Sequence, residues 1–154
     1  MKKSFEMFID GGSSGNPGDA AIGIVISEGN KVVKKISRYI GKATNNIAEY
    51  MALIYGLQEA LILKADKVKV HTDSELLYHQ LNGSYKVKNA QLRIFYLQVQ
   101  HLLKGFKTIE IQHIPREQNR EADRLASKAI KKEQAKVVAL PLLWGGEESP
   151  SSEG

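Results

Sequence analysis

One stretch limits what this chain can fold into more than any other: Phe5-Glu6-Met7-Phe8-Ile9-Asp10-Gly11-Gly12-Ser13. Phe5, Met7 and Ile9 alternate with Glu6 and Phe8, so apolar residues fall on both faces of the run. That pattern reads as a central strand covered on both sides. The run ends in an aspartate followed by two glycines. A carboxylate at the end of a buried strand is costly unless something cationic meets it. Paired glycines let another backbone or a ligand come close.

The rest of the chain supplies the layers such a strand needs. Strand one spans about Ser4 to Asp10, and Ser13 to Asp19 is turn chemistry. Ala21 to Ile26 reads as a second strand, Glu28-Gly29-Asn30 as a hairpin turn, and Val32 to Gly41 as a lysine-bearing edge strand. Asn45 or Asn46 is placed to cap a helix carrying Ile47, Met51, Ile54 and Leu61 at helical spacing. Lys67 to Asp73 reads as strand four. Ser74 caps a helix to about Leu81, Asn89 opens another that Gly105 closes, and Thr108 to Ile114 reads as strand five. A last helix is predicted from about Asn119 to Lys132. Strands four and five each follow a helix, so right-handed crossovers lay them parallel to strand one. The expected fold is α/β: a five-stranded mixed sheet of order 3-2-1-4-5, strands one to three antiparallel, with helices on both faces. Residues 1–132 form the expected domain. In the tail, 133–154, the apolar part from Gln134 to Trp144 is expected to dock along the domain, and the last eight or so residues to be disordered.

Four acids stand out by position. Asp10 and Asp73 end neighbouring parallel strands, so both emerge at one sheet edge, where open α/β sheets bind ligands. Glu49 lies in the first turns of the helix leading to strand four, and Asp123 near the start of the last helix. Four carboxylates cannot all ionise close together without cations. The chain has no cysteine, and the spacing of His71, His79, His101 and His113 matches no zinc motif. Oxygen-only ligation points to Mg²⁺ or Mn²⁺. The chemistry of such sites is in-line phosphoryl displacement, with two ions flanking the scissile phosphate. A net charge of +5 suits a nucleic-acid partner.

Four motifs carry a resemblance. They are Ile9-Asp10-Gly11-Gly12-Ser13 through Gly15-Asn16-Pro17-Gly18; Thr44-Asn45-Asn46-Ile47-Ala48-Glu49; Thr72-Asp73-Ser74; and Asn119-Arg120-Glu121-Ala122-Asp123-Arg124-Leu125-Ala126. In this order, across nearly all of residues 4–132, they resemble type 1 ribonuclease H in a short form lacking the basic protrusion. The resemblance implies an endonuclease that cuts the RNA strand of RNA–DNA hybrids, leaving a 5′-phosphate and a 3′-hydroxyl. It implies Asp10, Glu49, Asp73 and Asp123 as catalytic carboxylates binding two Mg²⁺ or Mn²⁺ ions when substrate is present. It also implies that Gly12, Ser13 and Asn16 meet RNA 2′-hydroxyls. By the same resemblance Asn45 and Asn46 bind both strands near the cut, and Lys42 and Thr44 grip a phosphate of the DNA strand.

Two departures qualify this. Asn82 to Lys88 stands where many members carry an extra helix and a lysine- and tryptophan-rich loop; Lys86 and Lys88 partly substitute. The loop Ile114 to Asn119 lacks the histidine many members place there, leaving Arg116 or Glu117 to take some of its role. The alternative is a catalytically weak or silent nucleic-acid-binding module of the same fold. The expected setting is cytoplasmic and away from membranes, for want of a greasy leader or spanning run, with a monomer as the default.

Overall fold

The computed structural model describes the backbone of residues 3–148 and the side chains of residues 3–136. The chain runs β1 (Ser4–Ser13), β2 (Gly18–Glu28), β3 (Lys31–Ala43), α1 (Asn45–Ile62), β4 (Lys67–Thr72), α2 (Glu75–Leu81), α3 (Ala90–Leu103), β5 (Thr108–His113) and α4 (Arg120–Glu148), with a 3-10 turn at Arg116–Gln118 before α4. The sheet order is β3-β2-β1-β4-β5, antiparallel from β1 through β3 and parallel from β1 through β5, as expected.

The pleat of β1 decides what covers each face. Met7 and Ile9 point to the α1 side and are fully buried with Leu53 and Leu57 of α1. Each such side chain contributes about 1.5–3 kcal/mol by leaving water. Two glycines let the helices sit directly on the strands. A Cβ on Gly11 would lie 2.1 Å from the Ala48 carbonyl oxygen of α1, and one on Gly23 would lie 2.0 Å from the Ala122 carbonyl oxygen of α4. Gly23 is the β2 partner of Asp10, so Asp10 points to the α4 side. Helices thus flank the sheet on both faces, and Asp10 sits where α4 begins.

Three expectations need correction. Strand one does not end at Asp10: residues 10–13 keep antiparallel partners in β2, from Gly23 to Ala20, after pairing to β4 stops at Ile9 and Thr72. Asp10 therefore marks the point where β4 departs. The cap of α1 is Thr44, whose Oγ1 accepts from the Ile47 amide at 3.2 Å, because the Asn45 side chain is turned toward the Ser13 amide. The last helix passes Lys132 and continues to Glu148. The expected docking of the tail's apolar side chains and the expected disorder of its last residues lie outside the described residues.

Candidate active site

The sheet edge where β4 leaves β1 opens a cleft of about 520 Å³. Asp10 reaches it from β1, Glu49 from the second turn of α1, Asp73 from the residue after β4, and Asp123 from the first turn of α4. One carboxylate oxygen each from Asp10, Glu49 and Asp73 lie within 4.8 Å of one another. Asp10 and Glu49 are buried, Asp73 is half-buried, and Asp123 stands beside Asp10 at the open side with its side chain 40% exposed.

Crowding leaves an electrostatic signature. Burial, then the charges of Asp73 and Asp123, push the Asp10 carboxyl up from 3.8 to about 8. Burial, then Asp10 and Asp73, hold the Glu49 carboxyl well above its ordinary 4.5, although the Gly11 amide donates to Glu49 Oε1 at 3.0 Å. Among the described residues no lysine or arginine forms an ion pair with Asp10, Glu49 or Asp73. Arg116 comes nearest, 3.9 Å from Asp123 Oδ1, but its side chain is 80% exposed. Oxygens this close, short of protein cations, with burial holding the Asp10 and Glu49 carboxyls toward the neutral form, are a donor set that fits a hard divalent cation.

The cleft also gathers Gly12, Ser13, Asn45 and Asn46. Ser13 and the β1–β2 turn are tied to the start of α1. The Ser13 amide donates to Asn45 Oδ1 at 3.3 Å, its hydroxyl bonds the Ala43 carbonyl at 2.8 Å, and the Asn45 amide donates to Asn16 Oδ1 at 3.0 Å. Asn16 thus fixes the loop from behind rather than lining the cleft. Lys42 and Thr44 stand outside it too: the Lys42 ammonium is 2.7 Å from Asp19 Oδ1, and Thr44 is occupied with its cap. Lys86 and Lys88 share a separate hollow with Tyr85 and Arg93.

Sequence reasoning missed the role of Asn119. Its side chain is fully buried, and its Nδ2 donates both to the Ile9 carbonyl at 2.8 Å and to Asp73 Oδ2 at 3.1 Å. Both partners are acceptors, so the amide orientation is unambiguous. The available signal was an asparagine just before a helix with an aspartate four residues on, and the Asp123 amide does donate to the Asn119 carbonyl.

Comparison with known proteins agrees with this geometry. A family model described as reverse transcriptase-like matches residues 8–129. The bifunctional protein Rv2228c of Mycobacterium tuberculosis is 41% identical over 149 residues, covering 94% of this chain and 41% of that protein. The ribonuclease HI of Halobacterium salinarum is 40% identical over 80% of this chain and 62% of its own length. This chain thus spans about two fifths of the mycobacterial relative and under two thirds of the archaeal one. Among solved structures, the N-terminal RNase H domain of Rv2228c superposes with a TM-score of 0.79 at 41% identity, covering 82% of this chain and 98% of that one. LC11-RNase H1 in complex with RNA/DNA hybrid does so at 0.79 and 39%, covering 84% and 99%. A family match over most of the chain, and ribonuclease H domains matched almost end to end on the same mixed sheet, leave one assignment: the chain belongs to the ribonuclease H family.

Proposed function

We propose that this chain is an endonuclease that hydrolyses the RNA strand of RNA–DNA hybrids, leaving 5′-phosphate and 3′-hydroxyl ends. The observation that carries it is the trio of crowded carboxylates, Asp10, Glu49 and Asp73, in a cleft open to solvent. That LC11-RNase H1 was solved with RNA/DNA hybrid supports the substrate class. Asp10, Glu49, Asp73 and Asp123 hold Mg²⁺ or Mn²⁺, two ions with substrate bound. When bound, such cations supply Lewis-acid stabilisation of charge at a phosphate and activation of water.

The chain's own residues position the strands. Around Gly12 the surface is open enough for a backbone to approach, since a Cβ there would meet only Asn45 Oδ1, at 3.8 Å. Gly12 and Ser13 face the RNA strand and its 2′-hydroxyls, with Asn16 bracing their loop. Asn45 and Asn46 reach both strands from the start of α1. Lys42, its side chain 72% exposed, and Thr44 flank the path of the DNA strand. Arg116 offers an exposed guanidinium beside Asp123, and Asn119 holds Asp73 in register with Asp10. We place the activity in the cytoplasm, in a monomer; no helix among the described residues is long and apolar enough to cross a membrane. A silent binding module has no use for acids whose crowding opposes folding, so the crowding favours the enzyme.

The test is one gel. A hybrid labelled on either strand is incubated with Mg²⁺ or Mn²⁺ and the parent, Asp10→Asn or Asp73→Asn protein. The parent cuts only the RNA strand, and both variants lose at least about a hundredfold in rate. Equal cutting by parent and variants refutes the assignment.

A further inference from the structure

α4 presents a second surface that the cleft does not use. Asp123, Ala126, Ser127 and Ile130 line the cleft. One step round the helix, Lys128, Lys132 and Lys136 line a separate hollow of about 330 Å³ against Ser37 and Tyr39 of β3. The one acid there is Glu133, 3.8 Å from Lys136. Among the described residues neither Lys128 nor Lys132 has an acid within ion-pairing distance. Both are exposed. Lysines four apart on a helix repel one another, so the row is held together by the fold and not by its own charges.

Its geometry suits a polyanion. Successive lysines rise about 6 Å along the helix and the row spans about 12 Å. One strand of a duplex presents a phosphate about every 3.4 Å of axis, so the row covers three or four of them. Its position selects the polyanion. Lys128 directly follows Ser127, a cleft residue, and β3 leads from Tyr39 to Lys42 beside the start of α1. The row therefore lies on the same helix as the cleft lining, one residue on from it, within reach of a duplex longer than the cleft.

We propose that Lys128, Lys132 and Lys136 bind the phosphate backbone of the duplex flanking the cut, so that affinity grows with substrate length. The inference rests on the nuclease reading for the identity of the duplex and adds a contact outside the cleft. These are backbone contacts; they hold any sequence and select for length.

The experiment uses the full chain and its Lys128→Gln/Lys132→Gln/Lys136→Gln variant. A control, Lys31→Gln/Lys67→Gln/Lys107→Gln, loses the same charge from exposed sites elsewhere. Binding to labelled hybrids of about 8 and about 24 base pairs is read by fluorescence anisotropy in EDTA across a salt series. The parent gains affinity with length. The row variant loses about tenfold on the long hybrid, most of the length gain, and its slope of log Kd against log salt falls by about 2–3. The control keeps the gain. Equal losses on both lengths, an equal loss in the control, or no loss overturns the proposal. So does retained hybrid binding with lost binding to phosphatidylserine vesicles, which assigns the row to a membrane. Cutting assays in Mg²⁺ separate the two readings: a parent that binds by length but never cuts refutes the nuclease and leaves the row standing. A parent that cuts with a KM independent of length refutes the row alone.

Discussion

Replacing Asp10 with asparagine removes one of three carboxylates whose oxygens lie within 4.8 Å of one another. At that distance and an effective dielectric near 20, two ionised carboxylates repel by about 3.5 kcal/mol. The upward shift of the Asp10 pKa gives a similar figure by another route. In the folded chain Asp10 titrates at about 8 instead of 3.8. Across that window the folded chain holds a proton that the unfolded chain has released, so stability falls as pH rises, by up to about 1.4 kcal/mol per pH unit. The contribution is complete below 3.8 and gone above about 8. An asparagine does not titrate and escapes this loss. The Asp10→Asn protein should therefore gain on the parent as pH rises, by about 4 kcal/mol between about pH 5 and about pH 9 in EDTA, or roughly 8–16 °C in Tm for a chain of this size. Thermal melts followed by circular dichroism at both pH values measure it. Mg²⁺ should raise the parent's Tm at the upper pH and leave the variant's nearly unmoved, because only the parent keeps the full set of acids. The same variant should fail to cut hybrid, so stability and activity move in opposite directions. If the variant shows no growing advantage with pH, the acids are not crowded in solution and the metal-site argument fails.

Further outcomes follow from the supporting residues. Asn119→Ala strands the Ile9 carbonyl and unties Asp73, which should cost about 1–3 kcal/mol in urea melts and slow cleavage even at saturating metal; unchanged cleavage means that Asp73 needs no such tie. Gly11→Ala drives a methyl into the Ala48 carbonyl and forces α1 off β1, at about 1–3 kcal/mol or more; a parent-like urea midpoint contradicts the close approach. Thr44→Ala removes the α1 cap and should lower Tm by about 2–4 °C, roughly 1 kcal/mol, while Asn45→Ala should cost less stability and more substrate affinity. The reverse order would return the cap to Asn45.

The sheet and the four acids were legible because each is written locally. Alternation marks the strands, helices between strands four and five impose parallel crossovers, and a carboxylate after an apolar run lands at a strand edge. What was not legible depends on partners distant in sequence. Threonine and asparagine both cap helices, and Thr44 took the position because the Ser13 amide, some thirty residues earlier, engages Asn45. β1 extends past Asp10 because β2 continues to pair with it after β4 has ended, and no local propensity encodes that difference in length. Asn119 shows the limit most clearly. Its sequence context is that of a helix start, yet its side chain bonds a carbonyl 110 residues away and one of the crowded acids. One buried amide thus binds the central strand, the end of β4 and the entry to α4 together. The repulsion among the acids is resisted at Asp73 by a neutral donor, which steers the carboxylate without discharging it. A lysine in that place would satisfy Asp73 and leave less need for a metal. Asparagine instead ties Asp73 in place without adding a counter-charge beside the crowded acids at the join of the central strands.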